Sequence, residues 1–102
     1  SKEEVKKLEN IIKDSVKEYA DKLNLYPNKV RIRDIKYAWG SCSTNKNITI
    51  NKQLAIKEED VIKYVVLHEM CHLKYMNHSK DFWDLVESIM PEYKTYKKSL
   101  KQ

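Results

Sequence analysis

Five consecutive residues, His68-Glu69-Met70-Cys71-His72, combine side chains that can bind a metal ion and use it. On an α-helix, residues four apart lie about 40° apart around the axis and about 6 Å apart along it, so the two imidazoles project from one face. Imidazoles are common ligands of Zn²⁺, and the neighbouring carboxylate can take a proton from a water molecule that the metal activates. The spacing therefore predicts a zinc-hydrolase site in which His68 and His72 bind the metal and Glu69 is catalytic.

The segment around this pentapeptide is almost wholly apolar. A helix that is apolar on every side is a buried helix. Burying two histidines and a carboxylate without partners costs on the order of several kcal/mol, and a divalent cation would satisfy all three groups. The alternative is a chance pentapeptide with ordinary core or surface histidines, and the buried setting makes it the weaker interpretation. The apolar residues of this helix are Val61, Ile62, Val65, Val66, Leu67, Met70, Cys71 and Leu73.

A third ligand is required, because catalytic zinc sites usually have three protein ligands and keep one position open. The chain has only three histidines, and the last, His78, follows the motif by six positions. On a continuous helix six positions mean about 9 Å of rise and about 240° of rotation, so the helix must end first. Asn77 tolerates the left-handed conformation in which helices often end, and Ser79 can cap the next helix. The junction can turn His78 toward the metal; the alternatives are a surface histidine at a turn or, as a weaker candidate ligand, Cys42.

The sequence before the motif predicts one helix and three strands. Residues 2–23 form an amphipathic helix, since apolar residues recur at spacings of three and four. From Lys29 the apolar period is two, which indicates a first strand, and residues 37–43 and 48–54 are predicted to form two more. A short turn joins these last two strands, so they should be antiparallel to each other. The strand of residues 37–43 contains Gly40, the only glycine in the sequence. A glycine within a strand often marks a bulge or a close backbone approach. The apolar stripe of the first helix is Val5, Leu8, Ile12, Val16, Tyr19 and Leu23.

Three helical segments follow the strands. The helix with the motif covers residues 58–75, a second covers 79–90, and Pro91 fits the first turn of a short last helix. We therefore expect an α+β fold in which a small antiparallel sheet of about three strands packs on a layer of three to four helices. A chain of 102 residues is long enough for one domain, residues 1–102.

The amino-acid composition indicates which partners and which cellular compartment to expect. The only arginines are Arg31 and Arg33, so the basic residues behind the net charge of +5 are mostly lysines, and their dispersal indicates a solvated surface more than phosphate recognition. The one clear basic cluster is formed by the lysines of residues 94–101, for which a solvated tail is the favoured interpretation. No apolar run is long enough to span a bilayer and no signal peptide is visible, so no membrane association is expected. The two cysteines make no disulfide framework, and Cys71, which points about 100° away from His72, is expected to pack in the core. A reduced, cytoplasmic setting is the simplest account.

Several blocks of the sequence occur in the order of a known family. Together they resemble the YgjP-like metallopeptidase family, which belongs with the SprT-like and WLM zincins, often described as predicted metal-dependent hydrolases. The resemblance covers roughly residues 30–100. The blocks are Trp39-Gly40-Ser41-Cys42-Ser43, Asn47-Ile48-Thr49-Ile50-Asn51, Tyr64-Val65-Val66-Leu67-His68-Glu69-Met70-Cys71-His72-Leu73, Asn77-His78-Ser79 and Phe82-Trp83.

The resemblance implies a zincin-like fold and a zinc-dependent peptidase acting on a peptide or protein. It implies zinc bound by His68, His72 and His78, with Glu69 catalytic. Metzincins also place a third histidine ten positions after the first, but they carry glycine where this chain has Tyr75, and their later Met-turn has no counterpart in this sequence. Zincins similar to this family use an edge strand to hold an extended substrate, which here would be the stretch of residues 39–43.

The sequence leaves two points undecided: which residue stabilises the oxyanion, and whether a further segment precedes this chain. Tyr75 and Tyr96 are both candidates to stabilise the developing oxyanion, and packing is the alternative role for each. Many members of the family carry a strand-rich segment before this region, whereas this chain begins with a helix, so one expectation is that it is a fragment of a longer chain.

Two other functions remain as alternatives. The first is a non-catalytic domain that zinc only stabilises; structural zinc sites usually have four ligands, whereas this sequence offers three and a carboxylate. The second is a DNA-associated SprT-like protease or binding module. The basic charge permits nucleic acid as a partner, but the sequence has no separate motif for it.

Overall fold

The computed structural model describes residues 1–101, and these form four α-helices and three β-strands, which confirms the α+β class. In chain order the elements are α1 Lys2–Leu23, β1 Lys29–Arg33, β2 Gly40–Cys42, β3 Asn47–Asn51, a 3₁₀ segment Lys52–Ile56, α2 Glu59–Cys71, α3 Lys80–Ile89 and α4 Tyr93–Ser99. Within the described residues, no helix is both long and apolar enough to cross a membrane.

Helix α1 covers the core with most of the predicted apolar stripe: Leu8, Ile12 and Tyr19 are buried, and the partly buried Val16 and Leu23 pack against them. Its first turn carries a capping box, in which the Ser1 hydroxyl accepts from the Glu4 N–H and the Glu4 side chain accepts from the Ser1 amino group. It ends where Asn24 adopts the left-handed conformation, at φ 57°. Helix α1 packs against α2 and the 3₁₀ segment, so it covers the core on that side.

The sheet is mixed, and the prediction of a wholly antiparallel sheet is wrong. The strand order is β1-β3-β2, with β2 antiparallel to β3, as predicted, and β1 parallel to β3. The connection of residues 34–39 leaves room for one strand between β1 and β2, and β3 fills that gap. The alternation of apolar residues sets which side of a strand is buried, but it does not set which strands are neighbours.

Asn51 ends β3 and fixes the connection that leads into β2. Its side chain accepts from the Gln53 N–H, which starts the 3₁₀ segment, so the strand ends earlier than the predicted residue 54. Its amide nitrogen donates to the carbonyl oxygens of Ile35 and Ala38, at 3.0 and 2.9 Å. Because Asn51 is buried, these bonds hold the 34–39 connection, and with it the start of β2, against the core.

Helix α2 lies at the centre of the molecule and contacts α1, α3, α4, β2 and β3. Its predicted burial is confirmed, and Cys71 packs in the core with no exposed surface. The helix ends at Cys71 and not at residue 75, because the N–H groups of Lys74 and Tyr75 both bond to the Cys71 carbonyl and form a turn. Asn77 does not adopt the left-handed conformation predicted for it.

Helices α3 and α4 complete the layer on the other side of the site. The predicted cap is confirmed, since the Ser79 hydroxyl accepts from the Phe82 N–H at the start of α3. On the inner face of α3, the side chains of Phe82 and Val86 are fully buried. Pro91 lies before the cap of α4 and not in its first turn, so α4 begins at Tyr93.

Candidate active site

The three histidines converge on one point. The Nε2 atoms of His68 and His78 are 3.1 Å apart, those of His72 and His78 are 3.1 Å apart, and those of His68 and His72 are 3.2 Å apart. A tetrahedral zinc ion with bonds of about 2.0–2.1 Å holds its ligand atoms roughly 3.3 Å apart. The spacing and chemistry of this donor set therefore fit one zinc-sized cation.

Two structural elements bring these rings together. His68 is in the last turn of α2, and His72 follows the helix directly with φ −66° and ψ −16°, so its side chain continues the helical spiral. His78 comes from the irregular segment between α2 and α3, which returns the chain toward α2. Phe82 supports the group from α3, with ring centroids 4.4 Å from His72 and 5.1 Å from His78. The helix end and the α3 cap together position the third imidazole.

The environment keeps two of these imidazoles neutral. Burial, reinforced by the charges that His72 and His78 carry when protonated, lowers the pKa of His68 to about 3. Burial also lowers the pKa of His72. A neutral imidazole has the free lone pair that a metal needs, so both residues are ready to bind a cation at neutral pH.

The other ring nitrogens have partners that orient the rings. His72 Nδ1 lies 2.9 Å from the Tyr75 carbonyl oxygen, so this nitrogen donates and Nε2 is left as the acceptor. His68 Nδ1 lies 3.3 Å from the hydroxyl of Tyr64, a residue that the sequence reasoning did not select. Tyr64 lies four residues before His68 on the same helix, and that spacing is the signal that could have identified it.

The Tyr64 contact gives a testable expectation about metal affinity. Tyr64→Phe removes one hydroxyl from a buried ring, so the fold should persist while the His68 ring loses its orienting partner. We expect zinc affinity to fall by about tenfold, the lower end of the effect of such supporting hydrogen bonds. Competition with a chromogenic chelator measures it, with Tyr19→Phe, a buried ring in α1, as the control. Equal zinc affinities for the two variants would show that the Tyr64 hydroxyl does not support the site.

Glu69 lies beside the histidines and against β2. The residue is 5% exposed, and its carboxylate faces the backbone of Gly40. A Cβ atom at position 40 would lie 2.9 Å from Glu69 Oε2, 3.0 Å from Cγ and 3.2 Å from Cδ. The lone glycine is therefore required for space, which confirms the close approach predicted for this strand.

Gly40→Ala should disturb the carboxylate without removing any metal-binding side chain. The added methyl group must push Glu69 or the strand aside, and a displacement on the order of 1 Å at a catalytic group can lower the rate by up to about a hundredfold. We expect kcat for peptide cleavage to fall by about tenfold or more while zinc content stays the same. Ser41→Ala, on the next residue of β2, is the control. A Gly40→Ala chain with normal kcat would show that this contact does not position Glu69.

Burial also changes the acidity of Glu69, whose pKa it raises to about 8. In a chain stripped of metal, the folded state therefore keeps a proton that the unfolded state loses near its ordinary pKa of 4.5. Stability then falls as the pH rises from 4.5 to about 8. A dication held by the three histidines would reverse this effect, since an opposite charge favours the carboxylate.

The free energy of unfolding of chelator-treated protein should accordingly fall as the pH rises above neutral. At pH 6.5, the ordinary pKa of histidine, the unfolded state is still about half protonated at His68 and His72, and the loss of these protons weakly opposes the effect up to about pH 7.5. Both chains share this contribution, so between pH 6.5 and 8.5 we expect the free energy of unfolding to fall by roughly 2 kcal/mol more in the wild type than in Glu69→Gln. Urea titrations across this range measure it. The same pH dependence in both chains would contradict the buried-carboxylate account.

A cavity of about 410 Å³ lies in front of the histidines and Glu69. Residues Trp39, Gly40, Ser41 and Cys42 line it, so the stretch of residues 39–43 that the sequence predicts to hold a substrate lies beside the histidines up to residue 42. The far wall comes from the end of α4, where the Leu100 carbonyl accepts from the Trp39 indole N–H at 3.3 Å. The histidines and Glu69 are thus open to a substrate-sized space.

The sequence offered three other candidates: Cys42 as a metal ligand, and Tyr75 and Tyr96 for the oxyanion role. Cys42 lines the cavity but does not join the converging donor group, and burial together with the Glu69 charge raises the pKa of its thiol to about 11. Among the described residues that line the cavity, neither Tyr75 nor Tyr96 is found, so the sequence-based candidates for the oxyanion role lie outside it. Tyr75 instead contributes its backbone carbonyl to His72.

The helix-borne histidine pair, the third histidine after a turn and the carboxylate beside an edge strand define a zincin-like metal-dependent hydrolase. The sequence model of the family "YgjP-like, metallopeptidase domain" matches residues 3–102. The chain therefore belongs to the YgjP-like metallopeptidase domain family, and it is a metal-dependent peptidase.

Solved structures agree with this assignment. The chain is similar to the metallopeptidase zymogen of Pyrococcus abyssi abylysin, with a TM-score of 0.78 and 28% identity over 87% of this chain and 90% of that one. It is also similar to the metallopeptidase zymogen of Methanocaldococcus jannaschii jannalysin, with a TM-score of 0.74 and 26% identity over 87% of this chain and 92% of that one. A comparison with curated proteins gave no match.

Proposed function

We propose that this chain hydrolyses peptide bonds with a zinc ion held by His68, His72 and His78 and with Glu69 as the general base. The observation that carries the proposal is the convergence of three imidazole Nε2 atoms beside a buried carboxylate in an open cavity. Zinc held there would polarise the scissile carbonyl and lower the pKa of a water molecule to about 7.

Glu69 performs the proton transfers in this proposal. Its carboxylate takes a proton from the attacking water and passes it to the leaving amine, as general acid–base catalysis requires. The packing against Gly40 fixes the carboxylate on the β2 side of the cavity. The carboxylate is therefore held between the site of attack and the strand along which a substrate would lie.

The outer edge of β2 is suited to hold an extended peptide. The Trp39 carbonyl and the Ser43 N–H both bond to β3. Because backbone groups alternate along a strand, the N–H and C=O groups of Gly40 and Cys42 point away from β3. A substrate strand could pair with them and place its peptide bond next to Glu69.

Three ligands and a free carboxylate favour catalysis over a purely structural zinc site. Structural sites are closed by a fourth protein ligand, and in the part of the chain that the structure describes the converging donor group contains only the three histidines. A cytoplasmic location also belongs to this proposal, and the free thiols of Cys42 and Cys71 support it.

Metal removal and restoration test the proposal. Zinc-loaded protein should cleave unfolded casein or a pool of short peptides, lose that activity after chelation, and regain it with about one equivalent of zinc. A His72→Ala preparation run in parallel excludes a contaminating protease. Cleavage that survives complete metal removal, or a zinc-loaded chain that cleaves nothing in the pool, would overturn the proposal.

A further inference from the structure

One face of α4 and the residues just after it carry four lysines. These are Lys94, Lys97, Lys98 and Lys101, called here the lysine face; the spacing i, i+3, i+4 places the first three on one side of α4, and Lys101 lies just after the helix. All four are exposed. They line a second cavity of about 430 Å³, whose floor is formed by Trp83 and Tyr93.

This second cavity adjoins the first. Lys97 and Lys101 line both of them. Trp83 connects the two sites, since its ring is 5.1 Å from Lys97 Nζ and 5.6 Å from the rings of both His68 and His78. A peptide that leaves the histidines on the α4 side would therefore pass over the lysine face.

Among the described residues, no acidic side chain forms an ion pair with the lysine face. Over residues 1–101, the ion pairs formed by lysines involve Lys22, Lys63 and Lys80, none of which belongs to this face. Glu69 is the one acidic residue among the described residues that line the first cavity, and it is buried. As far as residue 101, the α4 side of the opening is thus a positively charged surface next to the site of cleavage.

We propose that the lysine face selects substrates by binding a carboxylate, either an acidic side chain near the scissile bond or the carboxyl terminus of the substrate. The inference rests on the proposed peptidase function and adds a substrate class to it. Lysine provides a mobile point charge without the planar fork of arginine, so it suits a carboxylate that arrives in variable positions along a strand. The contribution appears in KM more than in kcat, because the charge lies beside the reacting atoms and not on them.

The surroundings favour a peptide over a nucleic acid at this face. Trp83 is stacked on Tyr93, with centroids 5.3 Å apart, and Lys97 lies over its ring, so its ring faces are already in use and do not offer a platform for a base. The two arginines, Arg31 and Arg33, are on β1, at the edge of the sheet opposite to β2. Nucleic-acid surfaces usually combine arginines and free aromatic rings in one place.

Matched peptides of about ten residues, which span about 33 Å when extended, test the inference. In the first set, both termini are blocked and a single Glu is moved along an otherwise neutral sequence. The second set, also blocked, carries Gln at the same positions. The third set is the Gln peptide with a free carboxyl terminus. Fluorescence anisotropy measures binding to the zinc-loaded Glu69→Gln chain, which keeps the peptides intact, and kcat and KM are measured with the zinc-loaded wild-type chain.

We expect at least one position of Glu, or the free carboxyl terminus, to strengthen binding by about tenfold over the blocked Gln peptide. The double variant Lys97→Gln/Lys101→Gln should remove most of this preference. Lys2→Gln/Lys6→Gln, an exposed pair with the same spacing on α1, makes the same change in net charge and should leave it intact. The preference should also weaken in high salt, because exposed charges are screened.

A comparison of the Glu peptides with the peptide that has a free carboxyl terminus distinguishes recognition of an internal acidic residue from recognition of a carboxyl terminus. Equal binding of all Glu and Gln peptides, or equal losses in the two double variants, would overturn the inference. Tighter binding of a single-stranded DNA of about twenty nucleotides, dependent on the same lysines, would overturn it in favour of nucleic acid. Failure to cleave any peptide, with the carboxylate preference intact, would sink the proposed function alone.

Discussion

Glu69→Gln is expected to lower kcat for peptide cleavage by about a hundredfold or more, the usual scale for a general acid–base group, while zinc stays bound. The substitution keeps the size of the side chain and most of its hydrogen bonds, but an amide cannot accept the proton of the attacking water. Zinc content should not change, because the converging donor atoms belong to the three histidines. Steady-state kinetics and metal analysis on the same preparation measure both quantities.

The two ways in which this result can fail have different meanings. Full turnover by Glu69→Gln would show that Glu69 is not the base. Loss of zinc would show that the carboxylate is a ligand or an essential support of the site. Glu58→Gln, an exposed residue before α2, is the control for removing one negative charge, and its turnover should match the wild type.

The second large effect is expected from the histidines themselves. His68→Ala, His72→Ala and His78→Ala should each reduce zinc from about one ion per chain to a small fraction and abolish cleavage, because two imidazoles bind the ion far more weakly than three. His78 is exposed, so its variant should fold as the metal-free wild type does. Asn77→Ala, on the adjacent residue, is the control. Zinc contents equal to the wild type in the His68 and His72 variants would contradict the ligand assignment.

The centre of the fold and the site were accessible from the sequence, because both depend on local spacing. The i, i+4 pair His68 and His72 and the apolar residues around it are sufficient to predict a buried helix with two converging imidazoles. The Ser79 cap is a local signal as well, and it places the start of α3 correctly. These features are confirmed because each depends on residues a few positions apart.

The features that the sequence did not reveal depend on contacts between distant segments. The parallel pairing of β1 with β3 follows from the path of the 34–39 connection, which the buried side chain of Asn51 holds by bonds to Ile35 and Ala38. The early end of α2 depends on a turn that brings His78 back to the other histidines. Neither hydrophobic periodicity nor residue preference encodes such long-range choices.

Diffraction from crystals of the zinc-loaded chain, measured just above and just below the zinc absorption edge, tests the central claim most directly. We expect one anomalous peak per chain, about 2.0–2.1 Å from the Nε2 atoms of His68, His72 and His78, with the Glu69 carboxylate nearby but not bound to the ion. A zinc ion held through Cys42 or by only two of the histidines, or no peak at this position, would contradict it.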